Sequence, residues 1–159
     1  MKKLFLIVVL ITTSFTHNIF GQDSTNQIQV NQLLSLYYDI KDALVAGNAN
    51  TAASKAETFV QATKGVSSKL TFEGKIKSLA EYASNIYQSK DLKKQRDYFS
   101  NFSADMIALA KAVKLGDKPI YLAYCPMKKA SWLSNEKAIK NPYYGNSMLT
   151  CGEVTETLQ

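Results

Sequence analysis

Between residues 25 and 115, apolar side chains recur at steps of three and four in four separate runs, the spacing of one buried helix face. The first run is Val30, Leu33, Leu34, Tyr37, Ile40 and Leu44. Ser24-x-x-Gln27 ahead of it has the form of a capping box, and Gly47 stands where the run ends. The second starts near Asn48 or Asn50 and aligns Ala52, Ala53, Ala56, Phe59 and Val60, with Gly65 after it. Gly47 and Gly65 occupy positions where a helix wants a residue in the left-handed region. The third begins near Thr71 and carries Phe72, Ile76, Leu79, Ala80, Ala83, Ile86 and Tyr87. Gly74 weakens its first turn by about 1 kcal/mol relative to alanine. The fourth is capped by Asp91 and aligns Leu92, Phe99, Phe102, Met106, Leu109 and Val113, with Gln95 interrupting the stripe and Gly116 closing it. Met106 at this spacing reads as a packing residue.

From Lys118 the pattern changes. Pro119 cannot continue a helix, Ile120–Tyr124 looks extended, and Trp132–Ile139 reads as a short helical or turn segment. Asn141-Pro142 and Gly145-Asn146 are turn signals. Aromatic residues crowd this tail: Tyr121, Tyr124, Trp132, Tyr143 and Tyr144. A tail this apolar needs a surface to cover. The pattern therefore predicts an all-α fold: an up-down four-helix bundle with an aromatic-rich, irregular C-terminal segment packed on it.

The N-terminus adds a different kind of signal. Lys2 and Lys3 precede an unbroken apolar run, Leu4–Ile11, too short to span a bilayer, with small and polar residues beyond it. This is the form of a secretory leader, residues 1–22, cleaved after Gly21 or Gln22. The rest, residues 23–159, is one domain's worth of chain: helices over about 25–115 and a Cys/Met-containing segment over 118–159. The expected product is periplasmic or secreted, with no stable membrane anchor.

Cleavage would change the available chemistry. It would remove His17, the only histidine, and two of the basic residues behind the net charge of +6. Without imidazole, histidine-dependent hydrolysis, His-ligated zinc and proximal-His haem are excluded. No carboxylate pair stands at a catalytic spacing, so no catalytic residue and no enzyme is expected. The basic cluster Lys90, Lys93, Lys94 and Arg96 reads as a solvated helix face, and no nucleic-acid partner is implied.

What remains is sulfur. Both cysteines lie in the tail, and each is within three residues of a methionine: Cys125 with Met127, Cys151 with Met148. Thiolates and thioethers are soft ligands that favour Cu(I) and similar ions over Mg, Ca or Mn. One reading is thus a Cu(I) or Ag(I) site made by Cys125, Met127, Met148 and Cys151. The other is a disulfide between Cys125 and Cys151, which an exported protein can form and which would stabilise the fold by roughly 3–3.5 kcal/mol in the chain-entropy model. In that case the domain is a structural or interaction module. Both readings require the turns at Pro142 and Gly145 to fold the tail back and bring the cysteines close.

The C-terminal string also carries a resemblance. Tyr124-Cys125-Pro126-Met127, Trp132-Leu133-Ser134, Ile139-x-Asn141-Pro142-Tyr143-Tyr144-Gly145 and Met148-Leu149-x-Cys151-Gly152 resemble the DUF3347 family. The Tyr-rich first helix and the Asp-Ala-Leu-x-x-Gly turn over Asp42–Gly47 are similar as well. That family occurs as small secreted proteins and as an extra domain on CusB-type heavy-metal efflux adaptors. The resemblance implies a module of metal handling, with a metal ion and an efflux adaptor as partners. Related metal-binding segments read Tyr-x-Cys-Pro-Met-His; here the last position is Lys128, so one ligand of divalent metals is missing.

Overall fold

The computed structural model describes residues 20–66, 72–113, 115–116 and 118–158, with side chains from residue 27 onward. The expected leader lies outside the described residues up to residue 19, and so does Thr71.

Helix α1 spans Phe20–Val45, and Val30, Leu33, Leu34, Tyr37, Ile40 and Leu44 are all buried on it as the stripe predicts. The helix begins before Ser24, so the proposed capping box is interior backbone. No proline and no further glycine stands between Gly21 and Val45 to stop the helix growing past the cap. At the other end Gly47, at φ 72°, closes a Schellman motif: its N–H donates to Leu44 O (3.2 Å) and the Asn48 N–H donates to Ala43 O (2.9 Å).

Helix α2 (Ala49–Thr63) follows at once, capped by the Asn48 side chain, which accepts from Thr51 N at 2.9 Å. It does not end on a left-handed Gly65. The Lys64 and Gly65 N–H groups instead reach back three residues, to Gln61 O and Ala62 O. Helix α3 (Glu73–Gln88) has no side-chain cap, whereas α4 (Leu92–Ala112) is capped as expected by Asp91, which accepts from Lys93 N and Lys94 N.

Each helix packs on the next in sequence. Their shared core is aromatic: Tyr37, Phe59, Phe99 and Phe102 are fully buried, with ring centroids 4.9–6.0 Å apart. Met106 is buried among the core residues. Gln95 does not break the α4 stripe. It is itself fully buried, and its amide nitrogen donates to Ala49 O, Ile86 O and Ser89 O. One side chain thereby ties the start of α2 and the α3–α4 junction to α4.

The tail departs from the all-α expectation. It forms three strands, β1 (Ile120–Cys125), β2 (Ala130–Ser134) and β3 (Glu153–Leu158), in an antiparallel sheet of order β2-β1-β3. Trp132 thus lies in a strand, not in a helical turn. Ile120 and the aromatic residues Tyr121, Tyr124 and Trp132 in β1 and β2 suit a largely buried pleated surface. The protein is four helices with a small C-terminal sheet.

The sheet sits on α4 through β2. Tyr37 fixes the junction. Its hydroxyl bonds to Ser103 Oγ on α4 (2.6 Å) and accepts from Leu133 N on the edge strand β2 (3.0 Å). Tyr143, beyond β2, packs on Phe99 and Trp132 and donates to Ser131 O.

Candidate functional site

Cys125 is the last residue of β1, and a four-residue hairpin loop, Pro126–Lys129, returns the chain to β2. Lys129 takes the left-handed conformation (φ 55°) and its N–H donates to Cys125 O at 2.8 Å. This tight loop turns the backbone N–H groups of Met127 and Lys128 toward the Cys125 sulfur. Outside the turn, Lys128 Nζ pairs with Asp97 of α4 at 2.6 Å, tying the loop to the helices.

Cys151 arrives from the other side, just before β3. Its approach depends on Asn141, which is fully buried. Asn141 Oδ1 accepts from Tyr143 N and Tyr144 N, its backbone N–H donates to Leu149 O, and its Nδ2 donates to Cys151 O at 2.7 Å. Gly152 completes the approach. Its φ of +139° is glycine territory, and a Cβ there would lie 2.8 Å from both the Trp132 ring and Tyr124 O. Only a bare backbone passes so close to β1.

The two sulfurs come together at 3.3 Å as free thiols. Cys125 is fully buried and Cys151 is partly exposed. Burial opposes ionisation of Cys125, but the Lys128 N–H, the Cys151 thiol, the Asn141 amide and the Met127 N–H together hold its pKa below the ordinary thiol range. Cys151 is pushed the other way, first because its proton bonds to the Cys125 sulfur, then by burial and by the Cys125 charge. The pair therefore ionises first at the buried sulfur, with the outer thiol as proton donor, and its two steps belong to the pair.

The methionines are placed less alike. Met148 is partly buried, and its carbonyl accepts from Cys151 N at 3.1 Å in the turn leading to the pair. Met127 lies in the hairpin loop with its side chain 65% exposed. Among the described residues, no group of three or more His, Cys, Asp and Glu is placed to hold a metal. A centre here consists of two thiols and whichever thioethers join them.

The spacing allows two chemistries. Two thiolates at about 2.3 Å on a tetrahedral ion stand about 3.8 Å apart, which needs the pair to open by about half an ångström. A disulfide of about 2.05 Å needs it to close by more than an ångström. Asn141 and the loop N–H groups are the parts sequence reasoning missed. Asn141-Pro142 was legible as a turn, but nothing in a sequence distinguishes a buried, multiply hydrogen-bonded asparagine from an exposed one.

A family model described as "Protein of unknown function (DUF3347)" matches residues 33–118, more than half of the chain. The matched span runs from within α1 to the threshold of β1 and stops before Cys125. No curated protein and no solved structure matches the chain.

Proposed function

We propose that this chain, which belongs to the DUF3347 family, is a non-catalytic soft-metal module of the periplasm or extracellular space, taking Cu(I) or Ag(I) on an up-down helical bundle. Cys125 and Cys151 supply the thiolates, and Met148 and Met127 supply thioethers. The observation that carries the reading is the pair of free thiols 3.3 Å apart, one of them set among N–H donors that favour its ionised form. An ion supplies the positive charge that a buried thiolate pair lacks. The protein's part is to hold both sulfurs, to favour ionisation of Cys125 through the surrounding N–H donors and to shield it from water under the β1–β2 loop. Metal binding releases thiol protons, so affinity rises with pH. Lys2, Lys3 and Leu4–Ile11 support export, and a heavy-metal efflux adaptor is the natural partner for such a module. No described helix is long and apolar enough to cross a membrane.

A second reading is favoured by the same contact. Sulfurs this close can be oxidised to a disulfide that pins β3 to β1 with no metal involved. A thiol count on protein taken from its native compartment separates the two: two free thiols support the metal reading, and none supports the disulfide. Met127→Leu with Met148→Leu keeps volume and apolarity, so folding is expected to survive. Weaker Cu(I) binding in that variant assigns the thioethers; unchanged binding removes them from the site.

A further inference from the structure

The two sulfurs lie 3.3 Å apart, yet they differ in access. Cys125, at the end of β1, has no accessible surface. Its sulfur is occupied by the N–H groups of Met127 and Lys128, the Asn141 amide and the Cys151 thiol. Cys151 stands just before β3 and is partly exposed. Its backbone is fixed: Asn141 Nδ2 donates to its carbonyl at 2.7 Å, and its own N–H donates to Met148 O at 3.1 Å. The outer sulfur is thereby held against the inner one.

This asymmetry bears on thiol–disulfide exchange, whose rate depends on which sulfur is attacked and on access to it. In each exchange the entering sulfur approaches opposite the leaving one. Attack on Cys151 displaces Cys125, so the entering group comes from the side of Cys151 that faces away from Cys125. Attack on Cys125 needs an entering group where no surface is accessible. A displaced Cys125 sulfur returns to the N–H groups that already surround it.

We propose that Cys151 is a thiol–disulfide exchange site, through which an external disulfide oxidises the pair and the corresponding thiols reduce it. On oxidation, deprotonated Cys151 attacks the external disulfide RS–SR. That S–S bond breaks, one RS⁻ leaves and takes up the Cys151 proton, and a mixed disulfide forms between Cys151 and RS. Deprotonated Cys125 then attacks the Cys151 sulfur, the second RS⁻ leaves with the Cys125 proton, and the internal disulfide closes. Two electrons pass from the pair to the external couple, which ends as two RSH. Reduction runs the same steps backwards, with RS⁻ entering at Cys151 and Cys125 leaving. The exchange needs only the two sulfurs. Its consequence for metal rests on the Cu(I) reading above: the internal disulfide offers no thiolate, so the external couple sets whether the metal site exists.

The test uses full-length, metal-free, reduced protein and oxidised glutathione without oxygen, with adducts located by mass spectrometry of peptides. Wild type should end as the internal disulfide with no lasting adduct. Cys125→Ser should accumulate one glutathione on Cys151. Cys151→Ser, folded by circular dichroism, should react at least about tenfold more slowly than Cys125→Ser, and the two variants should react alike in denaturant, where access is equal. An adduct on Cys125 forming as fast as that on Cys151, a Cys151 that takes none, or a wild-type mixed disulfide that never closes would overturn the proposal. Cu(I) uptake should vanish on oxidation and return with dithiothreitol, and uptake that survives oxidation would overturn the regulation. Absence of Cu(I) binding by reduced protein would sink the metal reading and leave the exchange standing.

Discussion

Replacing Tyr37 by Phe removes one oxygen and asks how much of the helix–sheet junction depends on it. The ring keeps its place, because its contacts with Phe99 (5.4 Å) and Phe102 (5.5 Å) do not involve the hydroxyl. Two hydrogen bonds go, one with Ser103 Oγ and one from Leu133 N. They are not equal losses. The Ser103 hydroxyl can rotate to a carbonyl of its own helix and recover a partner. The Leu133 N–H belongs to a fully buried residue of an edge strand and has nowhere else to donate. Leaving one buried donor unsatisfied costs about 1–3 kcal/mol, and this is the expected loss. Urea unfolding followed by circular dichroism measures it, and the slope should not change, since the surface exposed on unfolding is the same. Hydrogen exchange at the Leu133 amide supplies the local readout and should accelerate more than the global loss requires. A stability change under about 0.5 kcal/mol with Leu133 exchange unaltered would refute the claim that this hydroxyl docks the sheet.

Further outcomes follow from the same structure. Phe102→Ala empties the centre of a fully buried aromatic cluster and is expected to cost about 3–5 kcal/mol by chemical denaturation. Gly145→Ala forces a side chain into φ +55°, with its Cβ 2.8 Å from Val45 O and against Arg96; about 1–3 kcal/mol is lost to backbone conformation alone, read as a lower unfolding midpoint. Burial holds the phenols of Tyr37, Tyr38 and Tyr143 above their unfolded value of 10.0. Their protonated forms are therefore favoured by folding, so stability is expected to be retained below about pH 10 and to fall as pH rises beyond it. Tyr37→Phe should make that alkaline decline shallower.

The helices were legible because their signals are local and repeated. The α1 and α4 stripes named the buried faces, Asp91 was a recognisable cap, and the start of α2 was narrowed to Asn48 or Asn50. The sheet was less so, for different reasons in each strand. Pro119 and the run Ile120–Tyr124 announced β1 plainly. In β2, Ala130–Ser134 is short and runs on into lysine- and alanine-containing sequence, so Trp132 could be assigned to a helical turn on pattern alone. β3, Glu153–Leu158, is mostly exposed and acidic and carries no buried alternation; only its pairing with β1 makes it a strand.

Gln95 shows the converse. A polar residue in an apolar stripe reads as a defect, and one of its carbonyl partners, Ala49 O, lies 46 residues away, where no local pattern points to it. At the sulfur pair, residue types and turn signals were sufficient to foresee that Cys125 and Cys151 would meet. The asymmetry between them was not readable, because it comes from backbone N–H groups and from Asn141, whose orientation is fixed only once the tail is folded. The exposure of Met127 also follows from the hairpin geometry, which puts its side chain outside a loop whose N–H face turns inward.

The most direct measurement is a titration of fully reduced protein with Cu(I) against a competing chelator, followed by thiolate-to-metal absorption and by proton release. The account predicts one Cu(I) per chain, tighter binding as pH rises, and loss of binding in Cys125→Ser and in Cys151→Ser, both of which should still fold. No uptake by the reduced wild type, or equal uptake after removal of either thiol, would contradict it.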